Sequence, residues 1–375
     1  MRFTFIHTAD WQIGKRFGAF PGDKPALLRG QRLAAVDRLA EAGIAAGASA
    51  VLVAGDVFDA ETVPDELSGR LLARLKAYPR LTWHLLPGNH DPARAGSAWD
   101  AIMAGGVPAN VRVHLEPKPV EIGASVVLLP APLTSKSTSR DPTAWMDAAA
   151  TPAGALRIGL AHGSVQGFGS GGDANVQLDP ARVKAASLAY LALGDWHGTT
   201  RISDRVWYSG TPEPDGFRDN DPGNVLLVEI DGASAPKVTR VPTAHFTWTR
   251  RAHKTDSAAA LAPLEAEVAR LGSAASRCLM ALELEGLVPL AEFARIEERL
   301  AKLAPQLFHL APDLTRLNAY TAAADIEALN SALLAGVAQR LRAASERGGD
   351  EAAVASRALR RLFALARQAE AGGAV

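Results

Sequence analysis

Five predicted β-strands of this chain each end at a carboxylate, an amide or an imidazole side chain. The strands are expected at residues 3–8, 50–54, 82–86, 156–161 and 190–193, and the polar residues that follow them are Asp10, Gln12, Asp56, Asp59, Asn89, His90, His162, Asp195 and His197. Helical patterns at 31–46 and 62–79 separate the first three strands, so the order β-α-β-α-β predicts a layered α/β domain. Ligands bind at the carboxyl edge of the strands in such sheets, which makes this edge the predicted functional site.

The residue types at this edge favour metal binding. Aspartate, asparagine and histidine are ligands for moderately hard divalent ions, whereas a single cysteine, Cys278, excludes a thiolate cluster and an internal disulfide. A lone histidine such as His162 is more often a structural group, but five motifs in order favour a metal centre. They supply too many ligands for one ion, so we expect two ions with Asp56 as the bridging carboxylate. Such a pair clamps a phosphoryl group and activates water, which suits phosphate-ester hydrolysis.

The motifs also carry a family resemblance. The set Asp10-x-Gln12, Gly55-Asp56-x-x-Asp59, Gly88-Asn89-His90-Asp91, Ala161-His162 and Gly194-Asp195-x-His197 resembles the five-block signature of calcineurin-like metallophosphoesterases. The longer sequence segments around these blocks, together with Tyr208-Ser-Gly-Thr-Pro-Glu213, resemble those of the SbcD-type nuclease subunits of the SbcCD DNA-repair complex. By motif, the resemblance covers residues 1 to about 220. It implies a four-layer α/β/β/α sandwich with a smaller α+β cap domain and a C-terminal helical segment.

The resemblance assigns a role to each residue of the predicted centre. The first ion would take Asp10, Gln12, Asp56 and His197, and the second would take Asp56, Asn89, His162 and Asp195. His90 would be the general acid or transition-state stabiliser at the leaving oxygen, with Asp59 orienting its ring through a hydrogen bond.

Gln12 and Asp195 stand where the family commonly has histidine. Oxygen ligands in place of imidazoles favour manganese, with magnesium as the alternative, over zinc. Both residues can still coordinate a metal, so we expect a working centre. A site that has decayed through these two replacements is the alternative.

The pattern of predicted strands and helices along the chain divides it into three parts. Residues 1–243 form the expected nuclease domain, residues 244–320 the cap, and residues 321–375 a helical segment whose apolar stripe contains Ile326, Leu329, Leu333, Val337 and Leu341. The resemblance implies that this last segment docks on the coiled-coil root of an SbcC-like ATPase partner and that the protein forms a homodimer. A glycine-rich loop at 163–175 is a candidate lid.

Five further residues are candidates for substrate contact. Lys15, Arg16 and Arg218 lie near the motifs in sequence and suit phosphate groups, although solvated surface charge explains them equally well. Trp11 and Trp196 each stand between predicted ligands and could stack on a base or sugar. We favour the alternative that these two rings wall the site and exclude water.

Composition narrows the environment and the partners. The 375 residues carry 40 basic and 40 acidic side chains, so their net charge of zero argues against a sequence-wide basic coat for nucleic acid. Attraction to DNA would have to come from bound metals and local arginines, which favours a DNA-holding partner. The N-terminus lacks a signal-peptide pattern, and we find no apolar run of ~20 residues, so a cytoplasmic protein without membrane spans is expected.

The leading hypothesis is a metal-dependent phosphodiesterase that hydrolyses DNA, as an SbcD-like repair exonuclease does, through attack by water that two metal ions activate. One alternative keeps the chemistry but changes the substrate to small nucleotides or other phosphate esters. A second alternative is a non-catalytic DNA- or ATPase-binding subunit with a decayed site.

Overall fold

The computed structural model describes residues 2–168, 176–232, 234–320, 329, 331–347 and 349–372. The chain divides into two compact units. Unit 1 comprises Met1–Asp215 and Asn220–His245, and unit 2 comprises Gly216–Asp219 and Phe246–Val375. The units separate after residue 245, close to the predicted boundary at 243, and unit 2 holds both the predicted cap and the C-terminal helices. A further division of unit 2 at residue 320 stays a prediction.

Unit 1 alternates strands and helices over its first hundred or so residues and consists mainly of strands after that. Its strands are β1 (Phe3–Thr8), β2 (Ala50–Val53), β3 (Thr82–Leu85), β4 (Val111–Val113), β5 (Val120–Gly123), β6 (Val126–Ala131), β7 (Leu156–His162), β8 (Ser164–Val165), β9 (Gln177–Leu178), β10 (Tyr190–Gly194), β11 (Thr200–Ser203), β12 (Val206–Tyr208), β13 (Asn224–Ile230) and β14 (Lys237–Pro242). Its helices are α1 (Lys24–Ala45), α2 (Asp65–Lys76), α3 (Ala98–Gly105), the short α4 (Arg182–Ala185) and a 3-10 helix at Ala144–Ala148.

Two mixed sheets, each of six strands, form the centre of unit 1. The first has the order β14-β13-β1-β2-β3-β4, and the second has the order β11-β12-β10-β7-β6-β5. Strands β1 to β4 run parallel to one another, as do β6, β7, β10 and β12. Antiparallel pairings flank these two parallel sets: β13 lies next to β1 and β14 next to β13, β11 lies next to β12, and β5 lies next to β6. Parallel strand β4 forms the other edge of the first sheet. Because neighbouring parallel strands end at the same edge, their polar C-terminal residues are brought together.

The two sheets pack face to face and helices cover their outer faces. Phe5 and Leu52 of the first sheet share a buried cluster with Leu128 and Leu160 of the second. Trp99, with other apolar residues of α1, α2 and α3, packs on the outer face of the first sheet. The 3-10 helix and α4 cover the second sheet through the cluster that contains Met146 and Ala186. The predicted four-layer α/β/β/α sandwich is confirmed.

The first two helices begin at positions that differ from the predicted ones. Helix α1 begins at Lys24 instead of residue 31. Pro25 is favourable in the first turn, because the backbone N–H that proline lacks would have no partner within the helix there. Helix α2 begins at Asp65, directly after Pro64, and carries Asp65 and Glu66 in its first turn, where the helix dipole favours acidic groups. Among the described residues, no helix has the length and apolar character that crossing a membrane requires.

Unit 2 contains a three-stranded parallel sheet of the order β15-β16-β17. Its elements are β15 (Thr247–Lys254), α5 (Ala262–Leu271), β16 (Cys278–Pro289), α6 (Leu290–Leu303) and β17 (His309–Tyr320), with 3-10 turns at Ala258–Leu261, Gly272–Arg277 and Ala304–Gln306. Parallel neighbours need crossover helices, and α5 and α6 serve as these. Leu264, Met280, Ile296 and Leu300 lie in their shared core.

Two further helices, α7 (Ala332–Ser345) and α8 (Asp350–Gly372), end the chain. Leu329, Ala338, Leu359 and Phe363 form a buried cluster with Leu290 of α6. The predicted stripe is partly wrong, because Leu333 has 73% of its surface exposed while Ala338 is buried. Ile326 of that stripe lies outside the described residues, as do residues 169–175 of the predicted lid.

Candidate metal centre

The ends of strands from both sheets meet at one point of unit 1. The backbone amide of Asp195, after β10, donates to both carboxylate oxygens of Asp10, after β1, at 3.2 and 3.3 Å. The contact is so close that a side-chain carbon on Gly194 would lie 2.0 Å from the carbonyl oxygen of Ala54. Glycine is therefore required beside the polar residue, which explains the Gly-Asp pairs in the sequence.

Asp10, Asp56 and His162 form the core of the predicted centre. One ligand atom from each lies within 4.8 Å of the others, and all three residues are buried. An arrangement of two carboxylates and one imidazole at this spacing is suited to a divalent cation. The carboxylate of Asp10 lies within reach of His162, so the structure places Asp10 near the ligands of both predicted ions.

The ligands predicted for the second ion lie around Nε2 of His162. This atom is 2.9 Å from Oδ1 of Asn89, 3.4 Å from Oδ1 of Asp56 and 3.9 Å from Oδ1 of Asp195. The other ring nitrogen, Nδ1, donates to the carbonyl oxygen of Ala54 at 2.8 Å. That hydrogen bond fixes the ring and leaves the lone pair of Nε2 toward the three oxygens, as a metal-binding histidine requires.

The ligands predicted for the first ion surround Gln12. Its Nε2 lies 3.5 Å from Oδ2 of Asp56 and 3.3 Å from Nε2 of His197, while its Oε1 accepts from Nζ of Lys15 at 3.1 Å. An amide nitrogen cannot ligate a metal, so in this orientation Gln12 does not offer the predicted oxygen to the centre. Rotation of the amide by half a turn would bring Oε1 to the ligand position.

His197 is held by a residue that the motifs do not include. Its Nδ1 donates to Oδ1 of Asp215 at 3.1 Å, which leaves Nε2 toward Gln12. Asp215 also accepts from Nζ of Lys15 at 2.5 Å. Burial would raise the pKa of Asp215, but the hydrogen bond and charge of His197 and the charges of Arg32 and Lys15 hold that pKa well below its usual value. Asp215 closely follows the motif that ends at Glu213, and its spacing gave no signal of this role.

The backbone at the predicted ligands is strained. Asp10, Gln12, Asp56 and Asp195 have φ angles of 54°, 42°, 53° and 103°. Few residues other than glycine adopt such values, and clusters of them mark functional sites. Asp56 is also fixed by the amide of His90, which donates to its Oδ1 at 2.9 Å. The strained turns therefore direct several side chains into one small volume.

Electrostatics at the centre favour cation binding. Burial raises the pKa of Asp10 to about 6, although the charges of His197 and His162 lower it. Burial lowers the pKa of His162, but the carboxylates of Asp56, Asp10 and Asp195 outweigh burial and raise it to about 9. Protons on these groups substitute for the positive charge that a divalent ion would provide. The donor set and the fixed imidazoles thus fit a metal centre.

Comparison with known proteins identifies the family. Residues 3–166 match the calcineurin-like phosphoesterase family. Over 288 residues, which are 63% of this chain and 69% of the relative, the chain is 31% identical to the SbcD subunit of the nuclease SbcCD of Rhodobacter capsulatus. The chain belongs to the SbcD-type calcineurin-like metallophosphoesterases. It is therefore a phosphoester hydrolase. Members of this family bind divalent metals, which accounts for the clustered carboxylate and imidazole groups.

In this metallophosphoesterase, His90 lies at the exposed rim of the centre. Its Nε2 is 3.9 Å from Oδ2 of Asp56, and 45% of its side chain is exposed. The predicted hydrogen bond from Asp59 differs in its atoms, because Nδ1 of His90 donates to the backbone carbonyl of Asp59 at 3.2 Å and not to its carboxylate. Burial raises the pKa of the Asp59 carboxyl, although Lys15 and His90 lower it.

Two further polar residues support the same loops. Asp91 is fully buried and accepts from the amides of Gly88 and Phe58 at 2.7 and 3.0 Å. Arg32 donates to the carbonyls of Asp10 and Trp11 at 2.9 and 2.8 Å. Both hold backbone segments that carry predicted metal ligands, and Arg32 was not predicted from the sequence.

The substrate candidates separate by their surroundings. The prediction that Trp11 could stack on a base or sugar is wrong, because its side chain is 1% exposed and its indole N–H donates to the hydroxyl of Thr8 within the core. Trp196 is 37% exposed and contacts the ring of Phe168. Lys15 is engaged by Gln12 and Asp215, whereas Arg16 is exposed in unit 1. Arg218 is exposed and belongs to unit 2.

Proposed function

We propose that this protein is a metal-dependent nuclease that hydrolyses phosphodiester bonds of DNA. The single observation that supports the proposal best is the convergence of Asp10, Asp56 and His162 on one buried point, with Asp56 also beside Gln12. A carboxylate shared by two ligand groups is the arrangement that a two-metal phosphodiesterase needs. The name of the relative as a nuclease directs the proposal toward DNA.

The proposed centre divides the ligands between two ions. Asp10, Gln12, Asp56 and His197 would hold one, and Asp56, Asn89, His162 and Asp195 would hold the other. Divalent ions at such a centre neutralise phosphate charge and lower the pKa of water. The chain's own part is to fix these ligands, exclude bulk water through the buried walls, and orient the phosphate.

His90 would act at the leaving oxygen. Because its Nδ1 proton is engaged by the carbonyl of Asp59, Nε2 carries a proton only when the ring is cationic. In that form Nε2, which lies 3.9 Å from Oδ2 of Asp56, can donate to the oxygen that leaves phosphorus. The role of Asp59 is then to orient the ring through its backbone.

Manganese is the proposed metal, with magnesium as the alternative. The ligand set is richer in oxygen than in imidazole because Gln12 and Asp195 stand at positions where the family commonly has histidine, and oxygen donors favour these ions over zinc. Gln12→His tests this idea directly. We expect the variant to gain affinity for zinc relative to manganese, and an unchanged ratio would contradict the proposed role of Gln12.

Substrate choice is tested with three esters. Turnover of single-stranded DNA, a cyclic nucleotide and an aryl phosphodiester is compared at saturating manganese. The proposal predicts DNA cleavage that an SbcC-like ATPase enhances. Preference for the small esters without any DNA cleavage would favour the small-ester phosphodiesterase, and fewer than two bound ions without turnover would favour a decayed, non-catalytic subunit.

The roles of the remaining segments, the partner protein and the location of the enzyme are also proposed from the family. Residues 244–320 would serve as a cap that shapes access, and residues 321–375 would dock on the coiled coil of the ATPase partner. A homodimer in the cytoplasm that takes part in DNA repair completes the proposal. Co-purification with a coiled-coil ATPase that is lost when α7 and α8 are removed would support the docking role.

A further inference from the structure

A concave site lies beside the predicted metal centre in unit 1. This arginine pocket, a cavity of about 450 Å³, is formed by the loop after β1, by α1 and by the start of α2. Its volume falls within the range of small-ligand sites. Three arginines, Arg16, Arg29 and Arg70, line it together with one carboxylate, Asp59.

The arginines are available to an anion. Among the residues that the structure describes, none of the three guanidinium groups forms an ion pair with a carboxylate. Nη1 of Arg29 donates to the backbone carbonyl of Arg16 at 3.1 Å, which ties α1 to the loop after β1. Its Nε and Nη2 have no partner within the described part of the chain. A guanidinium offers paired donors that match phosphate oxygens.

The rest of the pocket wall is apolar. Ile13, Leu33, Val63 and Leu67 supply side-chain carbon beside the arginines. A surface that combines apolar carbon with guanidinium groups suits a ligand with a flat or carbon-rich part joined to a phosphate. A nucleotide has this composition, whereas inorganic phosphate alone would leave the apolar wall uncovered.

The pocket shares its backbone with the metal centre. The amide of Ile13 donates to the carbonyl of Val57 at 2.9 Å, and the amide of Asp59 donates to the carbonyl of Ile13 at 3.1 Å. These bonds join the segment that follows Gln12 to the segment that follows Asp56. The carbonyl of Asp59 also holds Nδ1 of His90. The pocket therefore lies on the His90 side of the centre.

We propose that the arginine pocket binds one nucleotide of the substrate strand next to the scissile phosphate, with its phosphate on the arginines and its base or sugar on the apolar wall. This inference rests on the proposed nuclease function. It makes Arg29 and Arg70 specificity-determining residues that favour a polynucleotide over a small phosphate ester.

The test compares Arg29→Gln and Arg70→Gln with Arg80→Gln, an exposed arginine outside the pocket. For each variant, kcat/KM is measured on a single-stranded oligonucleotide and on an aryl phosphodiester. We expect the ratio of the two values to fall about tenfold in each pocket variant, as loss of one charged hydrogen bond implies, and to stay at the wild-type value in Arg80→Gln. The dependence of oligonucleotide KM on salt should also become shallower, by about 0.7 in the log–log slope per lost contact.

Equal ratios in all three variants would overturn the pocket, as would an equal fall in Arg80→Gln. If the wild-type protein cleaves only the aryl ester, the proposed nuclease function fails, and a deoxynucleoside monophosphate then tests the pocket as an inhibitor of that reaction. Inhibition that is tenfold weaker in Arg70→Gln than in Arg80→Gln would keep the pocket as a free-nucleotide site. Inhibition of equal strength in both would overturn it.

Discussion

Oδ1 of Asp215 accepts a hydrogen bond from Nδ1 of His197 at 3.1 Å, while its Oδ2 contacts Nζ of Lys15 at 2.5 Å. One buried carboxylate therefore fixes an imidazole on one side and a cation on the other. A carboxylate behind a ligating histidine sets which ring nitrogen is protonated and strengthens the lone pair that faces the metal. The orientation of the His197 ring therefore depends on Asp215.

Asp215→Asn tests the support of His197. We expect the variant to bind manganese about 10- to 100-fold more weakly at one of its two sites, because loss of such a carboxylate behind a ligand typically has that effect. Titration calorimetry on metal-stripped protein measures both sites. Asp219→Asn, an exposed aspartate nearby in sequence, is the matched control. Wild-type affinity in Asp215→Asn would show that His197 does not ligate a metal.

Gly88→Ala tests the close packing around Asp56. A methyl group on Gly88 would lie 2.2 Å from Oδ1 and 2.4 Å from the amide of Asp56, so this carboxylate must move. Displacement by about 1 Å lowers turnover about a hundredfold in a site of this kind. Turnover of an aryl phosphodiester and thermal unfolding are measured together.

Gly69→Ala in α2 is the control for this substitution. Nothing lies within 4 Å of the position where its methyl group would be. We expect it to stabilise the protein by about 0.5–1 kcal/mol, because alanine loses less backbone entropy than glycine in a helix. Full activity in Gly88→Ala would mean that Asp56 can shift without loss, contrary to its proposed role.

How far the sequence predicts this molecule depends on the range of each interaction. The strand ends and a layered α/β domain follow from local patterns, since an apolar run, a glycine and a ligand are adjacent in the chain. The four-layer sandwich was implied by the family resemblance. Asp215 was missed because its contact with His197 depends on a turn after β12, and nothing in its neighbours marks it. The hydrogen-bond partner of His90 is a backbone carbonyl. Every residue has such a group, so residue types in the sequence do not indicate this contact.

Register in the last helices was harder to predict for a different reason. An apolar stripe rich in alanine and leucine fits more than one helix face, and packing against Leu290 selects the face with Ala338 instead of Leu333. The side chains of His7 in β1, His84 in β3 and His114 directly after β4 are buried as well.

Those histidines make stability depend on pH. Burial lowers the pKa of His7 and His84 to about 3 and that of His114 to about 4. The unfolded chain takes up a proton on each below about pH 6.5, while the folded chain does not, so stability present above that pH is lost as the pH falls toward 4. Nδ1 of His84 lies 3.0 Å from Nε2 of His114.

His84→Gln isolates one of these groups. We expect the free energy of unfolding of the variant to fall less steeply between pH 6 and 4.5, by about 1.4 kcal/mol per pH unit relative to the wild type, because one proton fewer is taken up on unfolding. Chemical denaturation at a series of pH values supplies the slopes. Parallel slopes for the two proteins would contradict the neutral, buried state of His84.

The central claim is that Asp56 is shared by two metal ions that act together. Manganese bound per chain and hydrolysis of a DNA oligonucleotide are measured on the same samples of wild type, Asp56→Ala and the exposed control Asp204→Ala. We expect two ions and cleavage in the wild type and in the control, and the loss of both ions and of cleavage in Asp56→Ala. An Asp56→Ala protein that still binds two ions and cleaves DNA with manganese would contradict the account.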